Sequence, residues 1–129
     1  MTDKELYIKA LKAMEKAYAP YSGFCVGAAV LTKCGVVFTG CNIENSAYGT
    51  TICAERVAMS KAISEGYKHF DAIAVASNNG YAYPCGTCRQ FIFEFGDDIR
   101  VIVGNEESII HSYTIEELLP FGFRLENGK

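Results

Sequence analysis

The chain of 129 residues has no tryptophan, two histidines and four scattered arginines, and these scarcities exclude several classes of function. With no run of lysine or arginine and a formal charge of -3, it lacks the footprint of a protein that binds nucleic acid. No apolar stretch approaches the roughly 20 residues that cross a bilayer, so we expect no membrane partner. The amino terminus MTDKELYIKA lacks the regions of a secretory signal, and we expect a cytoplasmic protein.

Hydrophobic residues and cysteines are plentiful. Half of the residues are hydrophobic, which allows a substantial core, and the length suits one domain over residues 1–129. Six cysteines without a secretory signal favour a metal site or free thiols over disulfides. Because the chain has a formal charge of -3 and no basic run, we expect a small neutral molecule rather than a polyanion as its partner.

Hydrophobic periodicity and turn residues predict nine secondary-structure elements. Thr2 and Glu5 form a capping box that begins a helix, which we expect to continue to Tyr18 before Pro20. The order along the chain is helix, two strands, helix, strand, helix, two strands and helix. Strands joined through helices predict an α/β fold whose sheet is at least partly parallel.

Two short motifs carry the chemistry. Cys53-Ala54-Glu55 is followed after a gap by Pro84-Cys85-Gly86-Thr87-Cys88. Three thiolates leave the fourth position of a tetrahedral zinc ion open, as in catalytic rather than structural zinc sites. A carboxylate two residues after a ligand can move the protons of the reacting water. We therefore predict one zinc ion held by Cys53, Cys85 and Cys88, with Glu55 as the catalytic residue.

The spacing of these residues constrains the local geometry. Cys85 and Cys88 lie three residues apart and share one face of a helix, with Pro84 in its first turn. Cys53 and Glu55 lie two apart and would point in nearly opposite directions on a regular helix. Cys53 must therefore occupy the cap or first turn of its helix, so that two helix N-termini meet over the metal.

Three thiolates on Zn²⁺ leave a net negative charge, which weakens the metal as a Lewis acid. Arg56, beside Glu55, can offset this charge by donating hydrogen bonds to the thiolates. Arg89, beside Cys88, is a weaker candidate for the same role. A solvated surface arginine is the alternative for Arg56.

Five segments of the chain resemble cytidine deaminase of the small homotetrameric type. They are AYAPYSGFCVGAA at 17–29, GCNIEN at 40–45, CAER at 53–56, PCGTCRQ at 84–90 and ELLPFGF at 117–123. The resemblance implies a three-layer α-β-α sandwich, in which helices cover both faces of a mixed five-stranded sheet. It also implies a homotetramer whose sites are completed by neighbouring subunits.

The resemblance further implies the reaction. Zinc-bound hydroxide attacks C4 of cytidine or deoxycytidine, and ammonia leaves to give uridine or deoxyuridine, a step of pyrimidine salvage. Glu55 carries a proton from the water to N3 and then to the departing amine. Backbone groups near Ala54 and Cys85 help to orient the base.

The same resemblance assigns the substrate-binding residues. Asn42 and Glu44 hold the ribose, and Phe24 packs against the nucleoside. Tyr48 and Phe123 reach the site of a neighbouring subunit. Without the resemblance, Asn42 and Glu44 could belong to a polar loop, Phe24 to the core, and Phe123 to interface packing alone.

Three other functions compete with this hypothesis. A sibling aminohydrolase such as blasticidin S deaminase shares the zinc motifs, so the metal site alone does not separate the two. A polynucleotide editor is disfavoured by the missing basic surface run. A non-catalytic zinc module is disfavoured by Glu55 and by the missing fourth protein ligand.

Overall fold

The computed structural model describes residues 1–106 and 109–125. Within these residues, none of the helices combines the length and apolar character that crossing a bilayer requires. The helices are α1 (Asp3–Met14), α2 (Ala54–Ser64), α3 (Gly86–Phe93) and α4 (Ile115–Leu118), with a 3-10 turn at Tyr48–Thr50. The strands are β1 (Val26–Thr32), β2 (Val37–Cys41), β3 (Phe70–Ser77), β4 (Arg100–Glu106) and β5 (Ile109–Thr114).

The five strands form one mixed sheet in the order β2-β1-β3-β4-β5. Among the strand pairs of the described residues, β3 and β4 alone are parallel, because α3 carries the chain back across the sheet between them. The other three pairs are antiparallel. The prediction of a partly parallel, five-stranded α/β sheet is confirmed.

Helices cover both faces of the sheet, which confirms the three-layer arrangement. On one face, Leu6, Tyr7 and Ala10 of α1 pack against alternate strand residues such as Ala29 and Ala74. On the other face, α2, α3 and α4 pack against the intervening strand residues. Strand β1 is buried along its whole length because both layers press on it.

The first helix is shorter than its apolar pattern predicted. It ends at Met14, and the backbone of Tyr18 instead pairs with the loop after β2, donating to Asn42 O at 3.0 Å and accepting from Glu44 N at 2.8 Å. This pairing satisfies backbone groups that a longer helix would have used internally. Pro84 lies before the cap of α3 rather than in its first turn. The sequence pattern also predicts a last strand from Ser108 to Tyr113; Ser108 lies outside the described residues, and the described strand begins at Ile109.

Gly40 of β2 allows α2 to lie directly against the sheet. A Cβ added to it would stand 2.6 Å from Ala58 N and 2.9 Å from Ala54 O, both backbone atoms of α2. We expect Gly40→Ala to destabilise the protein by about 1–3 kcal/mol, since the helix must move away from the strand. Thermal unfolding measures this effect, and Gly49→Ala is the control because nothing lies within 4 Å of its added Cβ. Equal melting temperatures for the two variants would contradict the proposed contact.

Candidate active site

Three cysteine thiols meet where the N-termini of α2 and α3 converge. Cys53 caps α2 and Cys85 caps α3, both with extended backbones, and Cys88 is buried in the first turn of α3. All three sulfur atoms lie within 4.8 Å of one another, and those of Cys53 and Cys85 are 3.7 Å apart. The sequence-based prediction that Cys53 is a helix cap is confirmed.

The thiol cluster fits a zinc ion. Zn–S bonds of 2.3 Å at tetrahedral angles place sulfur atoms about 3.8 Å apart, close to the separation of Cys53 and Cys85. Hydrogen bonding by Cys88 lowers the pKa of Cys53 to about 5, and the same contact raises the pKa of Cys88. Without a cation, ionisation of Cys53 is therefore favoured and ionisation of Cys88 is disfavoured. A divalent ion that prefers soft ligands allows all three to ionise.

Arg56 lies against the thiol cluster, as the charge argument predicted. Its Nη2 donates to Cys53 Sγ at 3.6 Å, and this bond raises the pKa of the guanidinium. Arg89 does not share this role. It donates to the carbonyls of Pro84 and Leu118, both at 2.8 Å, and so ties the loop before Cys85 to α4.

Glu55 is a buried carboxyl beside the thiols, with only 4% of its surface exposed. Burial raises its pKa to about 7, and the nearby Cys53 thiolate acts in the same direction. A carboxyl with this pKa exchanges protons readily at neutral pH, as a general acid and base must. Its place in the first turn of α2 results from the cap position of Cys53.

A cleft of about 520 Å³ opens beside Glu55, within the size range of small-molecule sites. It brings together most of the residues predicted for the site. Those in its lining are Phe24, Asn42, Glu44, Tyr48, Cys53, Ala54, Glu55 and Cys85. Cys88 and Phe123 are not among the lining residues.

Asn42 is buried and holds the chain that leads into β1. Its Oδ1 accepts from Val26 N at 2.9 Å, and its Nδ2 donates to Phe24 O at 2.8 Å. Each amide group has capacity for one more hydrogen bond. Asn42 therefore has a structural role that the sequence did not reveal, and it keeps polar capacity that a ligand can use.

Glu44 is held in place by the loop before β1. One carboxylate oxygen accepts from the backbone N–H groups of Tyr21 and Ser22, at 2.9 and 3.2 Å, and the other accepts from the Ser22 hydroxyl. The Ser22 hydroxyl lowers the pKa of Glu44, so the carboxylate is ionised at neutral pH. It is a positioned hydrogen-bond acceptor at the edge of the cleft.

The two aromatics predicted to serve a neighbouring subunit are strongly exposed. Tyr48 is 91% exposed and lies at the rim of its own chain's cleft. Phe123 is 66% exposed, and its carbonyl accepts from Gln90 Nε2 at 3.1 Å. Phe121, two residues earlier, is also fully exposed, and its φ is 58°.

The cleft is also lined by Tyr81, Ala82 and Tyr83, which no sequence pattern predicted as site residues. They immediately precede Pro84 and Cys85. Two aromatic residues on either side of a small residue, just before the metal motif, were the sequence feature that could have indicated them.

The chain is similar to known deaminases over most of its length and not only at the thiol cluster. Residues 1–105 match the family model of the cytidine and deoxycytidylate deaminase zinc-binding region. The chain is 52% identical over 120 residues to a probable cytidine deaminase of Dictyostelium discoideum, covering 92% of this chain and 81% of the relative. It resembles a crystal structure of cytidine deaminase from Burkholderia pseudomallei with a TM-score of 0.90 and 45% identity, covering 95% and 100% of the two chains. A blasticidin-S deaminase of Bacillus cereus is 35% identical over 108 residues, 76% of each chain.

Proposed function

Since the chain belongs to the cytidine and deoxycytidylate deaminase family, we propose that it hydrolyses free cytidine and deoxycytidine to uridine and deoxyuridine, releasing ammonia. The observation that carries the proposal is the buried carboxyl of Glu55 next to three convergent thiols, in the lining of a cleft large enough for a small molecule. We assign the reaction to pyrimidine salvage in the cytoplasm.

Cys53, Cys85 and Cys88 would hold one zinc ion per chain. When bound, zinc supplies the Lewis acid that activates water for attack on C4 of the pyrimidine. The helix N-termini that carry the three cysteines favour the thiolate form, which the metal needs.

Glu55 moves the protons of the reaction. Burial brings its pKa to about 7, so it can carry one proton of the attacking water to N3 and afterwards the second to the leaving amine, which departs as ammonia while the oxygen stays on C4. The same burial that raises this pKa keeps solvent away from the carboxyl, so its interactions with nearby charges are weakened less than they would be in water.

The remaining residues of the cleft orient the nucleoside. Asn42 offers its spare amide capacity and Glu44 its ionised carboxylate to the ribose hydroxyls. Phe24 packs against the nucleoside, and the backbone at Ala54 binds the base. These groups are held before substrate arrives, which reduces the entropy lost on binding.

The decisive experiment follows ultraviolet absorbance of the purified protein with cytidine, deoxycytidine and blasticidin S, and measures zinc on the same sample. We expect loss of the cytidine and deoxycytidine bands with about one zinc per chain. Turnover of blasticidin S alone would establish the sibling activity instead. A zinc-loaded protein that leaves all three compounds unchanged would refute the proposal.

Arg56→Ala is expected to keep the metal but slow turnover and move the activity optimum to higher pH. Without the guanidinium on Cys53, the negative charge of three thiolates makes the attacking water harder to deprotonate. Arg56→Lys keeps a positive charge but lacks the planar guanidinium. We expect its turnover and its pH optimum to lie between those of wild type and Arg56→Ala. A pH–rate profile identical to that of wild type, at full zinc content, would show that Arg56 has only a packing role.

We further propose a homotetramer in which Phe123 covers the base in a neighbouring subunit's site. The strong exposure of Phe123 and its absence from the lining of its own cleft support this assignment. An obligatory shared site would also explain why large aromatics stand exposed on a small chain.

Mixing two inactive variants tests the shared site. Glu55→Gln and Phe123→Ala subunits, unfolded together and refolded, should recover activity that neither shows alone. Random assembly gives about a quarter of sites an intact Glu55 together with a neighbour's Phe123. If Phe123 acts on its own chain, the mixture contains no such site and stays inactive.

A further inference from the structure

Four aromatic rings link the cleft to the edge of the sheet. We call them the aromatic wall, formed by Tyr81, Tyr83, His111 and Tyr113. The first two precede Cys85 and line the cleft, whereas the other two belong to β5. The wall thus joins an edge strand to the loop that positions a metal ligand.

The contacts within the wall restrain Tyr83. Its ring stacks on that of Tyr81 with centroids 6.3 Å apart and an interplanar angle of 26°, and it lies 6.0 Å from the ring of Tyr113. Contact with the Tyr83 phenol also raises the pKa of Tyr113, as expected for two phenols close together. Tyr83 nevertheless remains 46% exposed, so its ring is available to a ligand in the cleft.

The proposed role of Glu55 indicates which edge of the pyrimidine faces which helix of the thiol cluster. The reacting carbon C4 has two ring neighbours, N3 and C5. If N3 faces Glu55 on α2, then C5 faces the opposite side of the cluster. That side is the loop before α3, where Tyr83 lies two residues before Cys85.

We propose that Tyr83, braced by Tyr113, faces C5 of the pyrimidine and limits the substituents that the site accepts there. This inference rests on the proposed deaminase function. Because the Tyr83 ring is packed on two sides, it does not move to admit a larger base. It therefore excludes bases with a bulky substituent at C5 by steric contact. Tyr113 lies outside the cleft lining and acts as a positioning residue.

The test compares kcat/KM for cytidine and 5-methylcytidine. Wild type should prefer cytidine, and Tyr83→Ala should reduce the preference by about tenfold or more, since one methyl group in a tight pocket has an effect of this size. Tyr113→Ala, which removes the ring that packs against Tyr83, should reduce the preference by a smaller factor. Tyr83→Leu serves as a second variant if the alanine variant loses its fold.

Tyr67→Ala is the matched control, because Tyr67 packs on Phe38 and is absent from the cleft lining. It should lower the melting temperature and leave the substrate preference unchanged. A wild type without preference, or a Tyr83→Ala preference equal to that of wild type, would overturn the inference while cytidine turnover continues. Loss of all cytidine turnover in zinc-loaded wild type would instead refute the deaminase function itself.

Discussion

Replacing Glu55 by glutamine is expected to lower kcat by about 10²- to 10⁴-fold while the zinc content stays unchanged. The amide has nearly the same shape as the carboxyl but cannot accept and return a proton at neutral pH. Because Glu55 is not a proposed metal ligand, the three thiols remain to bind zinc. Steady-state kinetics with cytidine and metal analysis of the same sample measure both effects.

The same substitution should not reduce stability. A buried acid whose pKa is raised binds its proton more tightly in the folded state, so the wild-type protein loses stability as pH rises from about 4.5 to about 7. Glutamine does not ionise and avoids this loss. A melting temperature at pH 8 well below that of wild type, or activity within a few fold of it, would contradict the assigned role.

Cys88→Ser is expected to abolish both zinc binding and turnover, with zinc affinity reduced by more than about 100-fold. Cys88 is buried in the first turn of α3, so serine leaves a hard oxygen where a soft thiolate is needed. Zinc titration with a competing chelator measures the affinity, and the cytidine assay measures the activity.

Cys34→Ser is the matched control for the loss of a ligand. Cys34 is an exposed free thiol in the turn between β1 and β2 and is not a member of the thiol cluster. It should bind zinc and turn over cytidine like wild type. Equal zinc affinity in the Cys34→Ser and Cys88→Ser variants would show that the cluster does not hold the metal.

The features predicted correctly from the sequence are those that depend on residues close together in the chain. Thr2 and Glu5 cap α1 as predicted, because the capping box needs only residues three apart. The cap position of Cys53 followed from the opposite directions of side chains two apart on a helix. The end of α1 was misjudged because the pairing of Tyr18 with Asn42 and Glu44 joins segments distant in the chain.

The sequence by itself determined the proposed metal chemistry: three soft ligands, a proposed proton carrier and one arginine, all within two short motifs. Only the tertiary structure decided which other residues face that chemistry. Tyr83 lines the cleft and packs against Tyr113, thirty positions later in the sequence. Asn42 is buried where its side chain bonds to the backbones of Phe24 and Val26. Spacing reveals contacts made within one turn or helix, whereas contacts between elements depend on the packing of the whole sheet.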